Sequence, residues 1–219
     1  GSIGATAYGE SFTFDYDLPN DTIYGETCAA VGLIFFARRM FEITKDSKYT
    51  DVMERVLLNG TLSGMSLDGK KFFYVNPLEV FPEASLKDHN KSHVKVERQK
   101  WFGCACCPPN IARLLSSIGS YAYTKTKDCF YMNLYIGGQI NTNIGHRKVN
   151  ITVDTDYPWD GNVKIHFHQE EEASFAFAVR IPGWCREYKI AVNGEAITAK
   201  RKKGYVYIDR AWKKGDEIT

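Results

Sequence analysis

Three of the six cysteines fall within four residues, at Cys104, Cys106 and Cys107. Pro108 and Pro109 follow at once, and proline suits the first turn of a helix because the N–H that it lacks would have no partner there. A thiol at the start of a helix lies near free backbone N–H groups and the positive end of the helix dipole. Both favour the thiolate, which is the form that attacks carbon and binds metals. The cluster therefore predicts nucleophilic or metal chemistry, although buried cysteines also serve as small hydrophobic side chains.

Glu26 and Cys28 form a second candidate pair. Residues two apart share a face on an extended segment, so both can bind one ion if the following helix begins at Thr27 or Cys28. Together with Cys106 and Cys107 they supply one carboxylate and three thiolates, which zinc accepts in tetrahedral geometry. From the spacing alone, a structural zinc site explains these residues as well as a catalytic one does.

The other candidate residues are expected to lie outside any site. Cys129 and Cys185 fall in a strand-rich region and are interpreted as structural. His89 and His93 flank a basic loop and are expected to face solvent, although histidine is a common metal ligand. Residues 200–203 form a run of basic residues. Such a run is more commonly a solvated edge than an anion-binding site.

The elements that position the cysteines are predicted to be helical. Residues 29–44 are apolar around nearly the whole circumference, which predicts a helix buried on most sides. Ser47 is a predicted N-cap for a second helix that reaches about Leu62, separated from the third helix by a long excursion at residues 66–100. The expected buried residues of the second helix are Tyr49, Val52 and Val56. The third helix follows Pro109, with helical spacing at Ile111, Leu114, Leu115 and Ile118.

After about residue 127 the apolar period changes from 3.6 to 2. Alternation occurs around residues 149–153, 163–167 and 175–179, and Asn193-Gly194 is a strong hairpin signal. Strands separated by turn residues indicate an antiparallel β-sandwich. The sequence therefore divides into a helical part, residues 1–125, and a β-sandwich part, residues 126–219.

Composition excludes several classes of protein. The chain has 219 residues, of which 44% are hydrophobic and 25% charged, so it is neither disordered nor collagenous. It carries 28 basic and 26 acidic residues, without the basic excess of a nucleic-acid binder. Its longest apolar run, residues 29–37, is too short to cross a membrane. Clustered thiols in a chain long enough to build a core indicate metal or thiol chemistry rather than a disulfide scaffold.

Four segments carry a resemblance to a known family. They are Glu26-Thr27-Cys28-Ala29-Ala30, Phe72-Phe73-Tyr74-Val75-Asn76-Pro77-Leu78, Trp101-Phe102-Gly103-Cys104-Ala105-Cys106-Cys107-Pro108-Pro109-Asn110 and Arg180-Ile181-Pro182-Gly183-Trp184. In this order they resemble the bacterial β-L-arabinofuranosidases of glycoside hydrolase family 127 and its close relatives. The resemblance implies a multidomain α+β protein: the C-terminal part of an (α/α)6 toroid, followed by a β-sandwich. It also implies that the N-terminal part of the catalytic domain is missing.

The resemblance implies roles for individual residues. Cys106 matches the nucleophile, and Cys104 is the alternative to Cys106 as a metal ligand. Glu10, which would otherwise be read as a solvated carboxylate, matches the acid/base. The matched Zn²⁺ ligands are Glu26, Cys28, Cys106 and Cys107. Tyr74 is a candidate for substrate binding, because an aromatic face suits a sugar ring, but a core tyrosine explains it equally well.

The first hypothesis is a retaining glycosidase that releases L-arabinose from plant-derived arabinofuranosyl glycans or glycoproteins. The alternatives are a noncatalytic carbohydrate-binding or structural module with a Glu/Cys3 zinc, and a thiol redox protein. No nucleic-acid or membrane partner is expected, and a homo-oligomer stays open. The expected compartment is the cytoplasm, with the periplasm as the alternative. The 219 residues alone are expected to be inactive and poorly soluble, since half a toroid leaves an apolar side bare.

Overall fold

The computed structural model describes residues 13–219. They form a mixed α+β structure, with helices up to residue 122 and two β-sheets after it. The chain divides into two compact units. The described part of the first unit is residues 13–39 and 52–117, and the second comprises residues 40–51 and 118–219. No helix in the described part of the chain is long and apolar enough to span a bilayer.

The helices precede the strands along the chain. They are α1 (Thr27–Thr44), α2 (Ser47–Val56), α3 (Pro82–Lys87), α4 (Cys107–Ser116) and α5 (Gly119–Ala122). The predicted second helix, 47–62, is regular only to Val56. It continues as a π-helical turn at Leu57–Thr61 and a 3₁₀ turn at Leu62–Gly64, and another 3₁₀ turn forms at His89–Lys91.

Helix α1 buries one face rather than its whole circumference. The buried residues follow helical spacing, whereas Phe36 is 58% and Ile43 77% exposed, so the prediction of burial on most sides is wrong. The buried face consists of Ala30, Val31, Ile34, Ala37 and Phe41. In α2 the expected Val52 is 36% exposed, and Met53 takes the fully buried position beside Val56.

Within residues 13–219, ten strands form two sheets. They are β1 (Tyr123–Lys125), β2 (Cys129–Met132), β3 (Gly138–Ile144), β4 (Arg147–Thr155), β5 (Val163–Phe167), β6 (Ala173–Arg180), β7 (Ala191–Val192), β8 (Glu195–Ala196), β9 (Tyr205–Trp212) and β10 (Glu217–Ile218). The sheet orders are β1-β2-β6-β9 and β3-β4-β5-β10-β7-β8. β2 pairs with β6 in parallel, which differs from the antiparallel arrangement expected from the turn spacing.

The two sheets of the second unit share one apolar cluster. Phe177 and Trp212 of the smaller sheet and Phe167 of the larger sheet belong to it, and the rings of Phe167 and Trp212 stack 4.1 Å apart. Burial alternates along β4, with Val149, Ile151 and Val153 inward, as the period of two predicts.

Strand β9 is covered on both faces. Val206 and Ile208 belong to the cluster that the two sheets share, whereas Tyr205 packs against Phe41. The Tyr205 hydroxyl donates to Asn133 Oδ1 at 2.9 Å. Phe41, a residue of α1, thus covers the face of β9 that carries Tyr205.

Candidate metal centre

The segment before α1 is held as an extended strand. Glu26 forms an antiparallel bridge with Val75, and the Asn76 backbone N–H donates to the Gly25 carbonyl at 2.9 Å. A Cβ atom on Gly25 would lie 2.7 Å from the Asn76 carbonyl oxygen, so only glycine permits this approach. Glu26 is thereby fixed in an extended conformation directly before the helix and is 6% exposed.

Thr27 links the start of α1 to the same segment. Its backbone N–H donates to the Tyr74 carbonyl, and its hydroxyl donates to the Phe73 carbonyl at 2.9 Å. The hydroxyl also accepts from the Asn76 side-chain amide at 2.9 Å. Three hydrogen bonds around a fully buried threonine fix where the helix begins, so Cys28 lies in its first turn.

Helix α4 carries the other two sulfurs. Cys106 is the residue before the helix and Cys107 is its first residue, followed by Pro108 and Pro109. The Asn110 backbone N–H donates to the Cys106 carbonyl at 3.3 Å, the first helical hydrogen bond. Cys107 is fully buried and Cys106 half-buried, so of these two residues only Cys106 is partly open to solvent.

These two helix starts bring four donor atoms together. One oxygen of Glu26 and the sulfurs of Cys28, Cys106 and Cys107 all lie within 4.8 Å of one another. Cys28 Sγ is 3.7 Å and Cys106 Sγ 3.9 Å from Cys107 Sγ, and Cys106 Sγ is 3.5 Å from Glu26 Oε1. Such a set of thiolates and a carboxylate could hold a metal ion.

Two polar side chains contact the sulfurs. The Tyr74 hydroxyl lies 3.2 Å from Cys106 Sγ, and the Asn110 side-chain amide donates to Cys28 Sγ at 3.2 Å. Cys104 lies outside the four-residue cluster and is exposed, with Tyr74 and Cys106 as hydrogen-bonding neighbours. In the described residues, then, the expected rival of Cys106 is a neighbour of the cluster rather than a member.

Without a cation, burial disfavours the charged thiolate form of the cysteines. Burial raises the pKa of Cys28 to about 12, and it also raises the pKa of Cys107 far above its ordinary value. For Cys104, the Cys106 backbone N–H is the largest cause of a lowered pKa. The buried thiols of the metal-free cluster therefore hold their protons at neutral pH, and a bound cation would displace them.

Aromatic rings fix the orientation of Tyr74. Its ring centroid lies 5.6 Å from Phe102 and 6.4 Å from Tyr24, and burial raises the pKa of its hydroxyl, which stays protonated. His93 packs 5.9 Å from Tyr24, with both ring nitrogens buried. The expectation that His93 faces solvent is therefore wrong, whereas His89 is exposed as expected.

The other candidates lie away from the cluster or cannot be placed. Glu10 lies outside the described residues. Cys129 is buried at the start of β2 and Cys185 is half-buried. Lys200, Arg201, Lys202 and Lys203 are all exposed.

Three contributors were not found from the sequence. Asn110 follows Cys106 by four residues in a helix, a spacing that places both on one face and could have revealed it. Thr27 and Asn76 contact each other although they are 49 residues apart along the chain. A single sequence gives no signal for such a contact.

The protein has a mixed α+β fold, and the carboxylate and thiolate donors at the starts of two helices form its candidate metal centre. The chain also matches two family models: the GH127 β-L-arabinofuranosidase catalytic domain over residues 1–120, and the GH127 middle domain over residues 129–219. The chain belongs to this family of glycoside hydrolases.

Individual relatives agree with the assignment. A non-reducing end β-L-arabinofuranosidase from Bifidobacterium longum subsp. longum is 42% identical over 95% of this chain and 32% of the relative. The crystal structure of a GH127 β-L-arabinofuranosidase from Geobacillus stearothermophilus T6 matches with a TM-score of 0.94 and 56% identity, over 100% of this chain and 34% of that one. A GH127 β-arabinofuranosidase structure matches with a TM-score of 0.89 and 37% identity, over 99% and 35% of the two chains. The chain spans about a third of the length of these relatives.

Proposed function

We propose that the whole protein is a retaining glycosidase that releases L-arabinose from β-L-arabinofuranosides, with Cys106 as the nucleophile in a zinc site. Its relatives are β-L-arabinofuranosidases, which supports the substrate class. Arabinofuranosyl units of plant glycans or glycoproteins are the proposed partners. We also propose that residues 1–125 belong to an (α/α)6 toroid and residues 126–219 to a β-sandwich, since the two sheets share one apolar cluster.

The separations of the donor atoms carry the zinc proposal. Zinc–sulfur bonds of about 2.3 Å in a tetrahedron place two sulfurs about 3.8 Å apart. The observed sulfur–sulfur distances are 3.7 Å and 3.9 Å. A zinc–oxygen bond of about 2.1 Å places oxygen and sulfur about 3.6 Å apart, against 3.5 Å between Glu26 and Cys106. These three separations match tetrahedral zinc, and the donor atoms of Glu26, Cys28, Cys106 and Cys107 all lie within 4.8 Å of one another.

The reaction divides between Cys106 and Glu10. The Cys106 thiolate attacks the anomeric carbon, so that the sulfur–carbon bond forms as the bond from carbon to the departing oxygen breaks. Glu10 donates a proton to that oxygen, and in the second step it accepts a proton from the water that displaces the sulfur. Two displacements at one carbon retain its configuration. When bound, zinc would supply the positive charge that keeps the cysteine sulfurs deprotonated.

Tyr74 is the proposed contact for the sugar. Its hydroxyl lies 3.2 Å from Cys106 Sγ, so a sugar carbon within reach of the sulfur also lies near this hydroxyl. The rings of Phe102 and Tyr24 hold the tyrosine in place. Glu10 falls in the part of the chain that the structure does not describe, and its role rests on the match to the family motif.

Metal content and turnover of the full-length protein test the proposal. Wild type should bind one zinc and hydrolyse an aryl β-L-arabinofuranoside, whereas Cys106→Ser should lose turnover. Cys129→Ser, which removes a thiol in the second unit, serves as the control. Undiminished turnover in Cys106→Ser would contradict the nucleophile role, whereas zinc binding without any turnover in the wild type would favour the noncatalytic zinc module.

Substrates with different leaving groups test Glu10. Glu10→Gln should slow hydrolysis most for poor leaving groups, because these need the proton. Equal losses on good and poor leaving groups contradict the acid role.

A further inference from the structure

The side-chain amide of Asn110 lies against a sulfur that takes no direct part in the proposed displacement. Asn110 Nδ2 donates to Cys28 Sγ at 3.2 Å, within hydrogen-bond range for sulfur. A thiolate has no hydrogen to give, so only the NH₂ end of the amide is compatible with a deprotonated Cys28. The contact is therefore directional and favours the metal-binding form of the thiol.

The position of Asn110 in α4 explains how this contact is made. Asn110 follows Cys106 by four residues and Cys107 by three, so the first helical turn points all three side chains to one side. Its backbone N–H donates to the Cys106 carbonyl at 3.3 Å, which ties the residue to the same turn. The helix that supplies two sulfurs thus also supplies the donor to the third, which comes from α1.

The charge of the cluster explains why such a donor is needed. One carboxylate and three thiolates carry four negative charges, two more than a divalent ion neutralises. Hydrogen bonds to metal ligands orient them and spread their charge, and they are stronger when the acceptor is charged. The half-buried amide gives this stabilisation without a cation that would compete with the metal.

We propose that Asn110 is a positioning residue of the metal centre, whose amide orients the Cys28 sulfur toward the ion and stabilises its negative charge. The inference rests on the proposed zinc site and assigns Asn110 a role separate from that of Tyr74. Tyr74 contacts Cys106, the proposed nucleophile, whereas Asn110 contacts Cys28. Loss of the Asn110 donor should therefore weaken metal binding.

Zinc affinity of the full-length protein tests this role by competition with a chromophoric chelator. Asn110→Ala and the nearly isosteric Asn110→Asp should bind zinc about 10- to 100-fold more weakly, as expected for loss of a hydrogen bond to a metal ligand. Asn110→Asp should bind zinc more weakly than Asn110→Ala, because the new carboxylate also brings a negative charge to the sulfur. Asn59→Asp makes the same charge change at an exposed residue of the first unit and should leave the affinity unchanged.

A cobalt(II) spectrum separates this role from a general loss of stability. Without the N–H donor the Cys28 lone pairs rise in energy, so the sulfur-to-cobalt charge-transfer band of both Asn110 variants should move to longer wavelength. Wild-type zinc affinity and an unmoved band in these variants would overturn the role of Asn110 and leave the zinc proposal intact. A wild-type protein that binds no zinc would instead overturn the zinc proposal, and the role of Asn110 with it.

Discussion

The hydroxyl oxygen of Tyr74 lies 3.2 Å from the sulfur of Cys106, although the two residues are 32 positions apart in the chain. The Tyr74 ring is held by Phe102 and Tyr24, and the sulfur by the start of α4. A hydroxyl at this distance can donate to a Cys106 thiolate, or turn to a sugar oxygen bound beside it. The pair thus joins the proposed substrate contact to the proposed nucleophile.

Removal of this hydroxyl should impair turnover without loss of the metal. We expect Tyr74→Phe to lower kcat/KM about tenfold, because a lost hydrogen bond at the reacting atoms costs about 1.5 kcal/mol. Zinc content should stay at the wild-type level, since Tyr74 is not among the four clustered donors. Tyr16→Phe, at a tyrosine that is 94% exposed, is the matched control. Unchanged kcat/KM in Tyr74→Phe would remove the tyrosine from the reaction.

The close approach at Gly25 predicts a stability effect at the metal centre. Gly25→Ala places a Cβ atom 2.7 Å from the Asn76 carbonyl oxygen, so the bridge that carries Glu26 must shift. We expect a loss of about 1–3 kcal/mol in the free energy of unfolding, with weaker zinc binding.

Gly32→Ala is the control for this substitution. Gly32 lies within α1 with open space around the added atom, so alanine should stabilise the helix by about 0.5–1 kcal/mol. Chemical denaturation of the two variants gives the comparison. Similar changes in both would show that the contact at Asn76 does not matter.

The buried thiols predict that alkaline pH destabilises the metal-free protein. Burial raises the pKa of Cys28 to about 12, and it raises the pKa of Cys107 as well. A thiol in the unfolded chain has a pKa of about 8.5. Above pH ~8.5 the folded state therefore binds protons that the unfolded chain has lost. The stability from these thiols is complete below pH ~8.5 and declines as the pH rises toward 12.

Bound zinc should remove this dependence, because the metal replaces the thiol protons. Melting temperatures measured from pH 7 to pH 10 should fall more steeply for the metal-free protein than for the zinc-loaded protein. Equal slopes would mean that the thiols of the cluster do not hold protons in the folded state.

Local features of the site could be predicted because they depend on neighbouring residues. Glu26 and Cys28 were expected on an extended segment that turns into a helix at Thr27 or Cys28, and α1 begins at Thr27. Pro108 and Pro109 indicated the start of α4, which begins at Cys107. In both cases the signal is the conformational preference of one or two residues.

Other features depend on which elements meet. Val52 and Met53 are both apolar, and only the packing of α2 decides that Met53 is the buried one. The burial of His93 follows from its contact with Tyr24, 69 residues away, and the parallel pairing of β2 with β6 joins strands that are not consecutive. Periodicity describes one element at a time, so it carries no information about such pairs.

The central claim is that Cys106 becomes covalently attached to the sugar during turnover. It is tested most directly by mass spectrometry of the full-length protein, quenched during hydrolysis of an aryl β-L-arabinofuranoside and then digested. We predict one pentosyl group on the peptide that contains Cys106, bound through sulfur, and none in Cys106→Ser. A pentosyl group on a carboxylate, or undiminished hydrolysis by Cys106→Ser, would contradict the account.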